Sequence, residues 1–258
     1  MKLNTIYNMD CVEGMRSMNE NSIDLTVTSP PYDGLRTYNG YSFDFESVAK
    51  ELYRITKPGG VVVWVVGDAT VKGSETLTSF KQALYFKEIG FNVHDTMIYE
   101  KAGSAPPHNN RYLQCFEYMF IFSKGKPLKA NLLTDRKNNW GGQTTFGTST
   151  VREKDGSLTK KKKRTIPEFG RRFNIWRYAN GFGFSAKEKY AHKHPAIFPE
   201  KLAEDHIRSW SNEGDIVLDP FMGSGTTAKM AKLNNRKYIG FELSEEYIEI
   251  ANQRLEAN

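Results

Sequence analysis

The period of the apolar positions changes several times along this chain. Val12, Met15 and Met18 follow Asp10 at a spacing of three and predict a short helix, after which SIDLTV at 22–27 reads as a strand. Phe45, Val48, Ala49, Leu52 and Ile55 share one helical face. Lys57, Pro58, Gly59 and Gly60 end that helix and lead into VVVWVV at 61–66, the unbroken apolar run of a strand covered on both faces. A second helix over 76–89 gives way after Gly90 to extended FNVHDTMIYEK at 91–101, and CFEYMFIFSK at 115–124 reads as another strand beyond the polar loop GSAPPHNN.

From Gly125 to about His192 the periodicity fades into glycine, charge and scattered aromatics, which predicts an inserted module with little regular core. A helix over 199–210 follows, then GDIVLDP as a strand, and TTAKMAKLNN, KYIGFEL and SEEYIEIANQRL as helix, strand and helix. The closing two strands and two helices are too few to bury a core of their own, so they must complete a sheet begun by the N-terminal half. The expected architecture is α/β, a doubly wound, mixed but mostly parallel sheet. Residues 1–124 and 193–258 are its two halves, and 125–192 is the insert.

Composition sharpens this picture in two places. Residues 124–193 hold 18 lysines and arginines against 5 acids, a net +13 within a chain total of +6, so the basic character belongs to the insert and the remainder is acidic. A charge run such as KKKKR at 160–164 is usually a solvated face. Here Phe146, Phe169, Phe173, Trp176, Tyr178, Phe182 and Phe184 are interleaved with Arg171, Arg172 and Arg177, a mixture suited to phosphates and bases together. The candidate nucleic-acid contacts are therefore Lys160, Lys161, Lys162, Lys163, Arg164, Arg171, Arg172 and Arg177. Cys11 and Cys115 lack metal-ligand spacing and read as free thiols, no metal site is legible, and no apolar stretch approaches a membrane span. The N-terminal MKLNTIYNMD lacks the apolar core of a secretion signal, which leads us to expect a cytoplasmic protein.

Two strand ends carry the candidate chemistry. In DPFMGSGTT at 219–227 a buried strand ends at Asp219, glycines at 223 and 225 allow close backbone approach, and Thr226 or Thr227 opens a helix. A glycine turn of this kind is weak alone, since the third glycine of the dinucleotide fingerprint is absent and no phosphate-loop Gly-Lys-Ser/Thr occurs. Glu242, at the end of the next strand, strengthens it, because a carboxylate there can accept from the ribose hydroxyls of an adenosine lying across the strand ends. The other strand end is TSPPY at 28–32. Two prolines in series cannot donate to a sheet and have fixed φ, so Pro30 can hold its carbonyl outward as a rigid acceptor. Ser29 adds a second acceptor and Tyr32 a flat face, parts that match the exocyclic amine of a nucleobase.

TSPPY followed much later by DPFMGSGTT resembles the catalytic and cofactor motifs of the DNA amino-methyltransferases, and their order, with a variable basic segment between, is similar to the β class. Asp10 in NMDCVEGM, KPGG at 57–60, FEYMFIFSK, HPAIFPEKL at 194–202 and Glu242 in GFELSEEY extend the likeness over most of the chain. The resemblance implies a circularly permuted, Rossmann-like class I methyltransferase fold and S-adenosyl-L-methionine as cofactor. It implies Asp219, Phe221, Gly223 and Gly225 as the turn around the cofactor's methionine moiety, Thr28, Pro220, Ser224 and Thr226 as further cofactor contacts, and Glu242 on its ribose. Asp10 would lie at the adenine pocket, and Pro195 and Lys201 would be contacts at the methionine end. Ser29, Pro30, Pro31 and Tyr32 would grip a flipped base, and the insert would be the target-recognition region. Double-stranded DNA is the implied partner, with room for a separate cognate restriction endonuclease and for either a monomer or a homodimer.

Serine before Pro-Pro is a neutral, weak acceptor, and among such enzymes it is commoner where cytosine N4 is modified; adenine N6 presents the same amine geometry and stays open. A DNA-binding relic without chemistry is the rival of another class, and intact TSPPY and DPFMGSGTT argue against it. Methylation of RNA or of a protein glutamine amide is a third reading, which the +13 insert disfavours for the amide.

Overall fold

The computed structural model describes residues 1–31, 44–103, 110–144, 150–160, 163–181, 183–194, 197 and 199–257. Its described residues divide into two compact units, one of Met1–Asn131 with Asn174–Asn258 and one of Leu132–Phe173.

The larger unit is built on an eight-stranded sheet. Its strands in chain order are β1 (Thr5–Asn8), β2 (Ile23–Thr28), β3 (Thr56–Val66), β4 (Asn92–Lys101), β5 (Phe116–Ser123), β6 (Ile175–Tyr178), β7 (Ile216–Asp219) and β8 (Lys237–Glu242). They lie side by side as β1-β8-β7-β2-β3-β5-β4-β6, all neighbours parallel except β3 with β5 and β5 with β4. Both chain ends thus build one mixed, mostly parallel sheet, as the size of the C-terminal segment demanded. On one face α1 (Cys11–Arg16), α2 (Phe45–Ile55) and α3 (Thr78–Glu88) bury Met15, Val48, Leu52 and Phe86 against Ile23, Val62, Trp64 and Phe122. The alternate residues of the central strands, Leu25, Val27, Val61 and Val63, are equally buried on the opposite side, where α4 (Glu200–Trp210) packs on β2 and β3 and α5 (Thr226–Leu233) on β7 and β8. The last helix, α6 (Glu245–Glu256), packs on α5.

KPGG is more than a helix stop. Helix α2 ends at Ile55 and β3 begins at once: Ile23 pairs with Thr56, but Leu25 already pairs with Val61, so residues 57–60 bulge out of the ladder. The bulge lets Lys57 Nζ reach Asp24 at 2.7 Å. Lys129 Nζ joins the same carboxylate at 2.8 Å and bridges to Asp215 at 2.6 Å. Burial raises the pKa of Asp24, and these two cations with the Ile216 N–H outweigh it, leaving the carboxyl below its ordinary value.

These contacts also mark where the larger unit gives way to the smaller one. The compact smaller unit is Leu132–Phe173, narrower than 125–192. Residues up to 131 are tied to the larger unit by Lys129 and by the Asn131 N–H on the Ser209 carbonyl, and the chain returns as β6 in parallel register with β4, Trp176 opposite Tyr99. Within the smaller unit, Thr150–Arg152 pairs antiparallel with Leu158–Lys160 and Arg136–Lys137 with Phe169–Gly170. No described helix is long and apolar enough to cross a membrane, and Cys11 and Cys115 are free thiols.

Candidate active site

Strands β2 and β7 are parallel neighbours with Leu25 opposite Val217 and Thr26 opposite Leu218, so the two motif-bearing strand ends emerge side by side. Thr28 Oγ1 donates to Asp219 Oδ1 at 2.6 Å, and the Phe221 N–H donates to the same oxygen at 3.0 Å. Thr28 is fully buried and Asp219 is 1% exposed. Burial pushes the Asp219 carboxyl up to about 6; the bonds from Thr28, the Phe221 N–H and Thr227 pull the other way, and the nearby charge of Glu242 adds to the rise. Thr227, read from the sequence only as a candidate helix opener, sets its hydroxyl 3.1 Å from the Val27 carbonyl as well and so laces the helix start to β2.

Beyond Asp219 the chain turns through Gly223 at φ +51° and Gly225 at φ +80°, and Gly225 stands at the N-cap of α5. Glu242, at the end of β8, accepts from the Gly223 N–H at 2.8 Å through Oε2 and from the Ser244 N–H at 2.9 Å through Oε1. Each oxygen keeps a further lone pair, so the carboxylate is oriented by the backbone without being saturated. That arrangement fits an adenosine: a fixed carboxylate acceptor at the strand end beside a turn whose glycines admit close approach.

The remaining candidates distribute unevenly. Strand β1 runs beside β8 with Asn8 opposite Glu242, which brings Asp10 to the same edge, where its Oδ1 caps α1 through the Val12 and Glu13 N–H groups at 2.8 and 3.1 Å. Ser29 and Pro31 are half-buried and Pro30 is buried at the end of β2; Tyr32 and Pro195 lie outside the described residues. Pro220, Ser224 and Thr226 are buried, and the oxygens of Ser224 and Thr226 point inward to Arg254. Phe221 sets its ring edge-on to Trp64 at 6.4 Å. Lys201 reaches along its own helix to Asp205 at 2.7 Å and Glu204 at 3.0 Å, and among the described residues of HPAIFPEKL it is His194 that meets the turn. Its Nε2 is 2.8 Å from where a Cβ on Gly223 would stand, and its ring packs on Tyr247 at 4.4 Å.

Of the nucleic-acid candidates, Lys160, Lys163, Arg164 and Arg171 are exposed on the smaller unit, and Arg172 is half-buried there in an ion pair with Asp135. Arg177 is exposed on β6 of the larger unit, 3.7 Å from Glu100, and Lys161 and Lys162 lie outside the described residues. Phe169 and Phe173 are exposed, with Arg136 over the Phe173 ring, whereas Trp176 is buried against His206 and belongs to the core.

Residues 23–253 match a family described as DNA methylase. The chain belongs to that DNA methylase family. It is 68% identical to the orphan methyltransferase M.BamHII of Bacillus amyloliquefaciens over 91% of this chain and 89% of that one. Its fold is that of the cytosine-N4-specific PvuII DNA methyltransferase, with a TM-score of 0.70, 22% identity and coverage of 97% of this chain and 85% of that one. The M1.HpyAVI structure solved as a complex with S-adenosylmethionine gives a TM-score of 0.63 at 23% identity, covering 97% and 98%. The resemblance to the β-class amino-methyltransferases therefore holds. Among the described residues no group of three or more His, Cys, Asp or Glu could hold a metal ion.

Proposed function

We propose that this DNA methylase modifies an exocyclic amine of a base flipped out of duplex DNA, cytosine N4 in preference to adenine N6, at a sequence read by residues 132–173. The 2.6 Å bond between Thr28 and Asp219 carries the reading, since it fixes the start of the Ser-Pro-Pro motif against the start of the glycine turn. Extruding the base costs a few kcal/mol, which stacking on Tyr32, about 1–3 kcal/mol, offsets in large part. An exocyclic amine is a poor nucleophile because its lone pair is delocalised into the ring. The Pro30 carbonyl and Ser29 hydroxyl, accepting its N–H bonds, favour a pyramidal nitrogen and accommodate the positive charge that develops there. When bound, S-adenosylmethionine supplies a methyl group already activated on a sulfonium. Glu242, oriented by the Gly223 N–H, accepts from the ribose hydroxyls, the glycine turn lies at the methionine end, and His194 packs over that turn.

Serine at position 29 favours cytosine, and the shared fold of the cytosine-N4-specific PvuII enzyme accommodates that target. The name of the relative at 68% identity contains the word orphan, which favours action without a dedicated endonuclease. The test is to methylate DNA with the purified protein and S-adenosylmethionine, digest it to nucleosides and identify the product by mass. N4-methylcytosine supports the reading, N6-methyladenine moves it to the other amine, and unmodified DNA alongside tight DNA binding would leave a binding relic.

A further inference from the structure

Beneath the glycine turn lies a cluster of four charges that the methyl-transfer chemistry does not use. Arg254 of α6 is fully buried and Lys229 of α5 is 3% exposed. Two carboxylates face them, Glu188 and Glu200, the latter the first residue of α4. Lys229 Nζ lies 2.5 Å from Glu188 and 2.7 Å from Glu200; Arg254 lies 2.7 Å from Glu200 and 3.4 Å from Glu188. The cluster is neutral as a whole. Burial would raise the Glu188 pKa, yet its Lys229 bond and the two cations hold it below the ordinary value.

Buried ion clusters rarely stabilise a fold more than apolar side chains of the same volume would, so their worth lies in the geometry they impose. Here that geometry is specific. One terminal nitrogen of Arg254 donates to the Ser224 carbonyl at 2.6 Å, to Ser224 Oγ at 3.1 Å and to Thr226 Oγ1 at 3.1 Å, while the other donates to Glu200 at 2.7 Å. The guanidinium thereby joins the peptide between the two positive-φ glycines to the head of α4. Left to itself a Gly-Ser-Gly turn is the most conformationally free backbone in the site. The segment from Glu188 to Glu200 is pinned at both ends by this cluster, and between them His194 packs on Gly223.

We infer that Arg254 is a positioning residue for the cofactor site, its guanidinium locking the 223–226 turn to Glu188 and Glu200 so that the turn holds the shape that receives S-adenosylmethionine. Its side chain touches neither the donor nor the base; it acts through Ser224, Thr226 and Glu200. The inference rests on the cofactor reading given above. Lysine cannot replace it, because a point charge on a flexible stem does not span carbonyl, hydroxyls and carboxylate as a planar fork does.

The test compares the wild-type protein with Arg254→Lys and Glu200→Gln. Calorimetric titration with S-adenosylmethionine gives affinity, and hydrogen exchange of a peptide covering residues 221–228 in the cofactor-free protein gives the order of the turn. The expected result for Arg254→Lys is a loss of affinity of about tenfold or more, the scale of one charge-assisted hydrogen bond. Exchange at 223–227 should be faster, with duplex DNA affinity unchanged. Glu200→Gln should move both readouts the same way and less far, and it decides the matter should the lysine variant fail to fold. Wild-type affinity and exchange in the variants would overturn the inference, and so would a lower melting temperature accompanied by wild-type affinity, which marks a purely structural role. A wild-type protein that does not bind S-adenosylmethionine would instead overturn the cofactor reading, and the exchange measurement would still decide whether Arg254 orders the turn.

Discussion

Thr28 and Asp219, 191 residues apart in sequence, share a 2.6 Å hydrogen bond in which the hydroxyl donates to a carboxyl that is 1% exposed. The bond is the seam between the two halves of the site. Each partner ends its strand, and the chain turns into Ser29-Pro30 on one side and Pro220-Phe221 on the other. Anything that weakens the seam therefore acts on the Ser-Pro-Pro motif and the glycine turn together.

Thr28→Val keeps the shape and deletes the donor, and should cost about 1–3 kcal/mol, as for a buried acceptor left short of a partner. The pH dependence distinguishes this from a packing defect. Because the folded pKa of Asp219, about 6, lies above its ordinary 3.8, the stability it contributes is fully present below pH 3.8 and is lost as pH rises through about 6. Deleting the Thr28 donor removes a pull toward the ionised form and carries the pKa higher, so the loss continues further up. Urea unfolding of variant and wild type at pH 5 and pH 8 should show a larger difference between them at pH 8; equal differences would mean that the bond does not act on the carboxylate.

The strand ends that carry this seam were legible in sequence because each signal is local. A buried run meets two prolines at 30–31, and another meets a glycine turn at 219–225. Their adjacency was legible too, from the inability of the last two strands to form a core alone. What escaped notice depends on partners far along the chain. β1 and β6 are four-residue edge strands, too short for a period to register, and Trp176 looks like an exposed recognition aromatic until β4 and His206 are known to cover it. Lys229 and Arg254 sit in amphipathic helical sequence where charge ordinarily means solvent, and nothing local announces Glu188 and Glu200 as their partners. KPGG reads as a helix end, which it follows, but its bulge exists to bring Lys57 to Asp24.

The two glycines of the turn should differ in tolerance. A Cβ at Gly225 would stand 2.7 Å from the Ala251 Cβ and 3.0 Å from its Cα, both fixed to the α6 backbone, whereas at Gly223 it meets only the tip of the His194 ring. Both positions add the cost of a left-handed conformation, about 1–2 kcal/mol for a residue with a Cβ. Gly225→Ala should therefore lower the thermal midpoint of the cofactor-free protein more than Gly223→Ala. Gly223→Ala, which displaces His194, should weaken S-adenosylmethionine binding out of proportion to its effect on stability. Similar losses at both positions in both measurements would contradict the packing argument.

Glu242→Gln tests whether the carboxylate orients the turn. The carboxylate accepts two backbone N–H groups, one on each oxygen, and an amide can satisfy only one, presenting its own donors to the other. Affinity for S-adenosylmethionine should fall by about tenfold or more, since an unmade hydrogen bond at a half-buried carboxylate and, on the proposed reading, a lost ribose acceptor both count. Removing this negative charge should also lower the pKa of Asp219, as its proximity is one of the causes of the rise. Carbon NMR of the Asp219 carboxyl across pH 4–8 would register that shift, and an unmoved titration would separate the two carboxylates electrostatically.

The basic surface of the smaller unit makes a separate prediction, because phosphate contacts are counted by salt. Lys160 and Lys163 are exposed there, while Arg172 is half-buried and already paired with Asp135. Each lysine that neutralises a phosphate releases condensed counterions, so Lys160→Ala and Lys163→Ala should each reduce the slope of log affinity against log salt by about 0.9 on duplex DNA, uniformly across sequences. Arg172→Ala should change that slope less and lower stability more, since its charge is spent on Asp135. Fluorescence anisotropy between 50 and 200 mM salt measures the slopes. Unchanged slopes in both lysine variants would remove these two residues from the DNA-facing surface and move the electrostatic contact to other cations of the basic segment.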